Sequence, residues 1–440
     1  MPMEKKTLQV ITLGCSKNSV DTSHLLAQVQ DLYTIMPEDY EGAVDYLLLN
    51  TCGFIGDAKE ESIQAIFDAV DRKNRGLAGK ILVFGCLSQR YIDQMPGMIP
   101  EVDGWYGARQ LAPLVKALGG KDKDEFTYGR YMPQNASYAF MKISEGCDRR
   151  CSYCAIPLIR GMHRSVPMED LVREAKDLAA RGVKELVLIA QDTTFYGLDL
   201  YKKRMLAELL RRLSAVEGIE WIRIHYSYPA DFPEDVLHEM ATNPKVCKYM
   251  DIPLQHVADS VLSAMRRNVD AAWTKALVQK MRKAVPGIVL RTTMMVGHPG
   301  ETRKDFEFLL DFLREAKFER LGAFTYSEEE GTWGAANLKD SIAKKTKERR
   351  LSALMEVQRG ISFAYNMSRI GTVEKVLADS CNDGILVCRS QYESPEVDGE
   401  ILVKYDPRMG VAPEQMPGRF FYAKIVSADD YDLIADFESL

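Results

Sequence analysis

The feature that most constrains this chain is a strand-then-helix alternation that runs through it twice. In residues 1–118 the short apolar segments Leu8–Leu13, Tyr46–Asn50 and Lys80–Gly85 are followed by helix-period segments, from about Val20, from about Asp57 and over Ser88–Gln94. Strands joined by crossover helices lie parallel, so an open parallel α/β layer is expected there. A polar stretch rich in Gly and charge, Leu118–Ser137, reads as a linker. The alternation then resumes, with strands expected at Phe140–Ser144, Glu185–Ala190, Trp221–Tyr226, Tyr249–Ile252, Val289–Val296 and Leu321–Tyr326. Six such repeats with right-handed crossovers curl into a partial (β/α)6 barrel. Ser341–Ile370 is helical and charged, and beyond Gly371 short strands broken by Gly, Pro and Asp suggest a small antiparallel β-barrel. The expected domains are 5–120, 133–365 and 366–436.

A length of 440 residues supports two or three domains, and 46% hydrophobic with 27% charged residues is the balance of a soluble globular protein. Met1–Lys6 and the apolar Thr7–Leu13 lack the length and cleavage site of a signal peptide. No apolar run approaches the roughly 18 residues that span a bilayer, so a cytoplasmic protein without a membrane partner is expected. Against 63 Asp and Glu there are 57 Lys and Arg, a net −6, so nucleic-acid binding is not expected to dominate.

Nine cysteines without an export signal point to metal ligation or catalysis rather than to disulfides. In Ser144–Cys154 (SEGCDRRCSYC), Cys147, Cys151 and Cys154 form C-x-x-x-C-x-x-C just after an expected strand. Three thiolates suit three corners of an iron–sulfur cube and leave one iron open to another ligand. The alternative is zinc, which in a structural site wants a fourth protein ligand. His163 is the nearest histidine, nine residues on, and no second Cys pair follows. Cys15, Cys52 and Cys86 lie 37 and 34 residues apart, each just past an expected strand (ITLGC, LLLNTC, LVFGC). Those intervals are about one βαβ unit each, and neighbouring carboxyl ends of a parallel sheet face one crevice, so the three thiols are expected to converge. Burial in the core is the alternative for them. Cys247, Cys381 and Cys388 have no such placement and read as packing residues.

With these residues the chain resembles the methylthiotransferases of the radical S-adenosylmethionine superfamily. The resemblance runs over essentially the whole length, in the order methylthiotransferase N-terminal domain, radical core, TRAM domain. It implies that Cys147, Cys151 and Cys154 hold a 4Fe-4S cluster that binds and reductively cleaves S-adenosylmethionine, with Tyr153 packing near the adenine. The radical so formed takes hydrogen from a substrate carbon. Cys15, Cys52 and Cys86 match the ligands of a second 4Fe-4S cluster, which handles sulfur and takes a methyl group from a second S-adenosylmethionine. A reductant protein is implied as partner. No protein acid or base is required beyond the cluster ligands, because the cofactor supplies the radical.

Further strand-end residues are expected to line the cofactor pocket: Gln191 and Asp192 in LIAQDTT, Gln255 and His256 in IPLQH, Arg291 in LRTT, and Gly297 to Glu301 in VGHPGE. A helix cap or a satisfied polar group is the alternative for each. Two positions depart from the family pattern: His298 stands in place of a phenylalanine, and Val166 in RGMHRSVP in place of a second arginine.

Family members modify a tRNA adenosine or an aspartate of a ribosomal protein. Gly14–Asp21 (GCSKNSVD), Asn50–Ile55 (NTCGFI) and Pro253–Asp259 (PLQHVAD) resemble the ribosomal-protein branch, which implies the β-carbon of an aspartate in small-subunit ribosomal protein twelve as substrate. Residues 366–440 hold seven Lys and Arg against fourteen Asp and Glu, a balance of −7 that leaves +1 for the rest. An acidic module suits a basic ribosomal protein better than tRNA phosphates. The rival readings are a tRNA adenosine methylthiotransferase and, from another class, a zinc-stabilised ribosome-binding protein without enzymatic activity.

Overall fold

The structure, a computed structural model, describes residues 5–121, 129–133 and 136–439. The middle of the expected linker Leu118–Ser137 thus lies outside the described residues. The chain forms two compact units: Met1–Met132 with Ser144–Glu174 and Glu329–Ala336, and Pro133–Ile143 with Ala175–Glu328 and Asn337–Leu440.

The first unit is built on β1 (Lys6–Thr12), β2 (Tyr33–Met36), β3 (Val44–Thr51), β4 (Ala78–Gly85) and β5 (Gly104–Trp105), in the order β2-β1-β3-β4-β5. Every pairing is parallel. Both faces are covered, which is why the middle of β3 reads as a continuous Leu47-Leu48-Leu49 run. Leu47 and Leu49 pack with Ile66, Ala69 and Val83 on one side. Leu48 packs with Leu8, Leu25 and Leu114 on the other. Helix α1 (Ser16–Val29) starts earlier than its apolar period suggests, because its first turn, Ser16-Lys17-Asn18, is polar and follows directly from Cys15 at the N-cap. Helices α2 (Gly56–Asn74) and α3 (Cys86–Arg90) follow β3 and β4.

In the second unit, six parallel strands lie side by side in chain order: β6 (Tyr138–Lys142), β7 (Glu185–Ile189), β8 (Trp221–Ile224), β9 (Val246–Asp251), β10 (Val289–Val296) and β11 (Arg320–Thr325). That is the expected partial barrel. The helix Lys344–Ser368 leads to a closed barrel of β12 (Val373–Asn382), β13 (Ile385–Arg389), β14 (Ile401–Lys404), β15 (Phe420–Ala428) and β16 (Leu433–Glu438). Its pairings are antiparallel except β14 with β16, which run parallel and close the ring. Inward-facing Val376, Leu386, Cys388, Ile401, Val403, Ile425 and Ala435 fill it.

The small barrel packs against the amino ends of the six strands, where Trp221 and Val289 meet Leu377 and Phe420. The Trp221 and Phe420 rings stand edge to face at 4.7 Å. Beside them Glu185 accepts from Arg223 at 2.7 Å and from Arg389 at 2.6 Å, all three side chains being buried. Cys247 is buried in this apolar junction and Cys381 packs partly buried against the barrel core. Among the described residues no helix is long and apolar enough to cross a membrane.

Candidate functional site

In the first unit the carboxyl ends of the neighbouring strands β1, β3 and β4 are level. Thr12 pairs with Asn50, and Thr51 pairs with Gly85. Cys52 and Cys86 therefore follow directly paired residues on strands about 4.8 Å apart, and Cys15 follows three residues beyond Thr12. The order β2-β1-β3 changes direction here, the position at which open sheets bind ligands. Close approach depends on glycine: Gly14 has φ +94°, and a Cβ there would stand 2.8 Å from Cys52 Cβ. At Gly85, with φ +103°, a Cβ would stand 2.6 Å from the Thr51 carbonyl oxygen. Side chains then lock the crevice. Asn50 donates to the Asn18 carbonyl at 2.8 Å, and Ser62 Oγ both accepts from Cys52 N–H at 3.0 Å and donates to Cys52 O at 2.9 Å.

The loop cysteines belong to the same unit. The short antiparallel pair Ser144–Glu145 and Arg164–Ser165 anchors their loop, and Cys147 N–H donates to Gly161 O at 3.0 Å. Cys154 N–H turns back onto Cys151 O at 3.1 Å, and Gly334 N–H donates to Ser152 O at 2.6 Å. Tyr153 is half-buried between the last two cysteines. The helix Ile156–Arg160 follows at once, and Ala155 and Ile159 pack against Cys86. The two cysteine sets are thus joined through one small core.

Arg160 completes that junction. Its Nη1 donates to Asp21 at 2.6 Å and to Glu145 at 3.2 Å, and its Nη2 to Asn18 Oδ1 at 2.6 Å and to Cys86 Sγ at 3.2 Å. Burial works against its charge, but Glu145 and Asp21 outweigh that and keep it protonated. Burial pushes the Cys52 thiol up to about 11, with the neighbouring Cys86 and Cys15 adding to the rise and the Phe54 amide and Arg160 opposing it. Burial raises the Cys86 thiol too, against Arg160. Binding to a metal must remove the protons of these thiols. Among the described residues no three of His, Cys, Asp and Glu gather as ligands of one metal ion. A cube seats each thiolate on its own iron and does not need that convergence.

In the second unit the polar tips follow the carboxyl ends of the strands. Asp192 accepts from the Thr194 N–H at 3.0 Å and from its hydroxyl at 2.6 Å, and Gln191 is half-exposed beside it. Gln255 is held with φ +72° by bonds to Thr293 O and from Met295 N–H, at 2.8 and 2.7 Å. Its Oε1 and the His256 Nε2 are buried without a hydrogen-bond partner among the described residues. Such orphaned atoms fit a pocket that receives a polar ligand. The His256 Nδ1 accepts from Ala258 N–H at 3.0 Å, and burial lowers the ring to about 3. Glu301 takes the Gly297 N–H and pairs with Arg350 at 2.9 Å, so it shapes the loop after β10. Arg291 does not join these tips. It sits three residues into β10, paired with Asp251 at 2.9 Å and 3.8 Å from Asp398, because two buried carboxylates hold it toward the small barrel.

Comparison with known proteins bears on both units. Residues 141–313 match the model of the radical SAM superfamily, residues 7–107 that of Uncharacterized protein family UPF0004, and residues 370–437 that of the TRAM domain. Ribosomal protein uS12 methylthiotransferase RimO of Bacteroides fragilis is 46% identical over 435 residues, covering 99% of this chain and all of that protein. RimO of Porphyromonas gingivalis is 48% identical over 434 residues, covering 98% and 99%. The chain belongs to the RimO family. A solved radical S-adenosylmethionine methyltransferase, TsrM of Kitasatospora setae, matches with a TM-score of 0.53 at 13% identity over 73% of this chain and 72% of that one, a likeness of fold alone.

As a RimO-family chain this is a transferase, as the resemblance of its motifs implies. Sequence reasoning missed the residues between the cysteines: Asn18, Ser62 and Arg160. Asn18 lies inside the quoted motif GCSKNSVD and Arg160 opens RGMHRSVP, but nothing in their spacing points to Cys86. Val166 is buried.

Proposed function

We propose that this chain adds a methylthio group to the β-carbon of an aspartate in ribosomal protein uS12, and that it does so in the cytoplasm with electrons from a reductant protein. In this reading Cys147, Cys151 and Cys154 hold one 4Fe-4S cluster, and Cys15, Cys52 and Cys86 hold a second. When bound, these clusters and S-adenosylmethionine supply the hydrogen-abstracting radical and the methylthio group. The chain's own residues bind, orient and exclude water. Tyr153, beside the loop cysteines, is a cofactor contact of the first unit; Gln191, Asp192, Gln255, Gly297 and Glu301 are cofactor contacts of the second, Gln255 through its buried carbonyl oxygen. Arg291 acts instead as a brace between the strands and the small barrel. The modules divide as 5–120, 133–365 and 366–436, the last presenting its acidic surface to a basic ribosomal protein.

The observation that carries the reading is the set of three cysteines at level, adjacent strand ends, in a chain whose full length follows the RimO relatives. The test is mass spectrometry of uS12 after anaerobic incubation with the loaded enzyme, reductant and S-adenosylmethionine. The reading expects an aspartate heavier by about 46 Da, hydrogen replaced by SCH3. The same increment on tRNA, with uS12 unchanged, would overturn it.

A further inference from the structure

Arg160 carries its positive charge to the strand-end cysteines and not to its own helix. It lies at the last turn of a five-residue helix, six residues after Cys154, yet its guanidinium points into the crevice of the other cysteine set and is only 3% exposed. There it meets two carboxylates, Asp21 and Glu145, one amide oxygen, Asn18 Oδ1, and one sulfur, Cys86 Sγ. A thiolate at Cys86 would place its negative charge directly against this guanidinium, 3.2 Å from Nη2. Only a fixed cation with several donors in one plane can face all four groups at once, which is the geometry of guanidinium and not of ammonium.

We propose that Arg160 is a positioning residue that sets the reduction potential of the cluster held by Cys15, Cys52 and Cys86, through its hydrogen bond to Cys86 Sγ. The inference rests on the reading that Cys15, Cys52 and Cys86 hold a cluster. Donors to a ligand sulfur stabilise the reduced, more negative form over the oxidised one and so raise the potential. Burial keeps the interaction strong, since little water screens it. The carboxylate of Asp21, which accepts from the other nitrogen, Nη1, opposes the effect by offsetting the guanidinium charge. Removing the cation and removing the carboxylate therefore move the potential in opposite directions, which a merely structural residue does not do.

The experiment is an EPR-monitored redox titration of the full chain, reconstituted anaerobically, with iron counted in the same samples. Signals are assigned in a background with Cys147→Ala, Cys151→Ala and Cys154→Ala, which leaves only the strand-end cluster. Arg160→Gln is expected to keep its iron and to shift the reduction equilibrium of that cluster about tenfold toward the oxidised form, about 59 mV lower for one electron. Asp21→Asn is expected to shift it toward the reduced form, and the loop cluster is expected to move in neither variant. Should Arg160→Gln lose the strand-end iron, Arg160→Lys serves in its place: the charge is kept but the planar contact to sulfur is not, and a lowered potential supports the proposal. Iron retained with an unchanged potential in Arg160→Gln, or in Arg160→Lys where that stands in, overturns it. Wild-type protein with iron for one cluster only, about four atoms, contradicts the underlying cluster reading instead, so the two failures are distinguishable.

Discussion

Replacing Gly14 by alanine tests whether the strand-end cysteines are held by close backbone approach. The residue has φ +94°, and a Cβ would stand 2.8 Å from Cys52 Cβ, 3.1 Å from Cys52 Sγ and 3.3 Å from Asn18 Nδ2. Carbon atoms in contact stay about 3.5–4.0 Å apart, so Cys52 must retreat by roughly 1 Å. The positive φ costs an L-residue about 1–2 kcal/mol, and overpacking about 1–3 more. A ligand set tolerates displacement of about 0.5 Å. Gly14→Ala is therefore expected to lower the stability of the first unit by about 2–5 kcal/mol and to cost the protein most of the iron of one cluster. Gly76→Ala is the control: it shares a positive φ, +74°, with nothing within 4 Å of the added carbon, and keeps its iron. The assay pairs iron counting with urea unfolding under anaerobic conditions. Full iron and unchanged stability in Gly14→Ala would refute the close-approach argument.

Glu185→Gln leaves the buried Arg223 and Arg389 without their shared carboxylate, and breaking such a group costs about 3–5 kcal/mol, read as a lower urea midpoint for the second unit. Although burial raises the Glu185 carboxyl, the arginines outweigh it and hold it below its usual range, so its contribution is present at neutral pH and lost in acid. Burial lowers His256 to about 3 and His298 to about 4. Both lie below the unfolded value of about 6.5, so the unfolded chain binds protons first, and stability falls as pH drops from about 6.5 toward those values. Unfolding at about pH 5 should take up about 1.8 protons from this pair, a slope of about 2.5 kcal/mol per pH unit. His256→Asn should remove one of them, and an unchanged proton uptake would count against the buried, neutral ring.

The architecture was legible where local pattern and tertiary role coincide. Both faces of the first sheet are covered, so Leu47-Leu48-Leu49 announces a strand, and crossover spacing then places Cys15, Cys52 and Cys86 at one edge. The strands β2 and β5 were not legible, because four and two residues at the sheet's margins carry no period to read. The parallel closure of β14 on β16 depends on the path the chain takes between them, which no short window records. Among the polar tips, Arg291 is held by Asp251 and Asp398, partners 40 and 107 residues distant that no local motif records. Arg160 was hidden for the same reason: its meaning comes from Asp21, Asn18 and Cys86, which no spacing in the sequence connects to it.

The most direct test is the iron count of the anaerobically reconstituted chain beside that of a variant with Cys15→Ala, Cys52→Ala and Cys86→Ala. Two clusters predict about eight irons per wild-type chain and about four in the variant, with the S-adenosylmethionine-responsive EPR signal retained in both. A wild-type chain that holds only about four, or a variant that holds as much iron as the wild type, would contradict the assignment of those three cysteines to a cluster of their own.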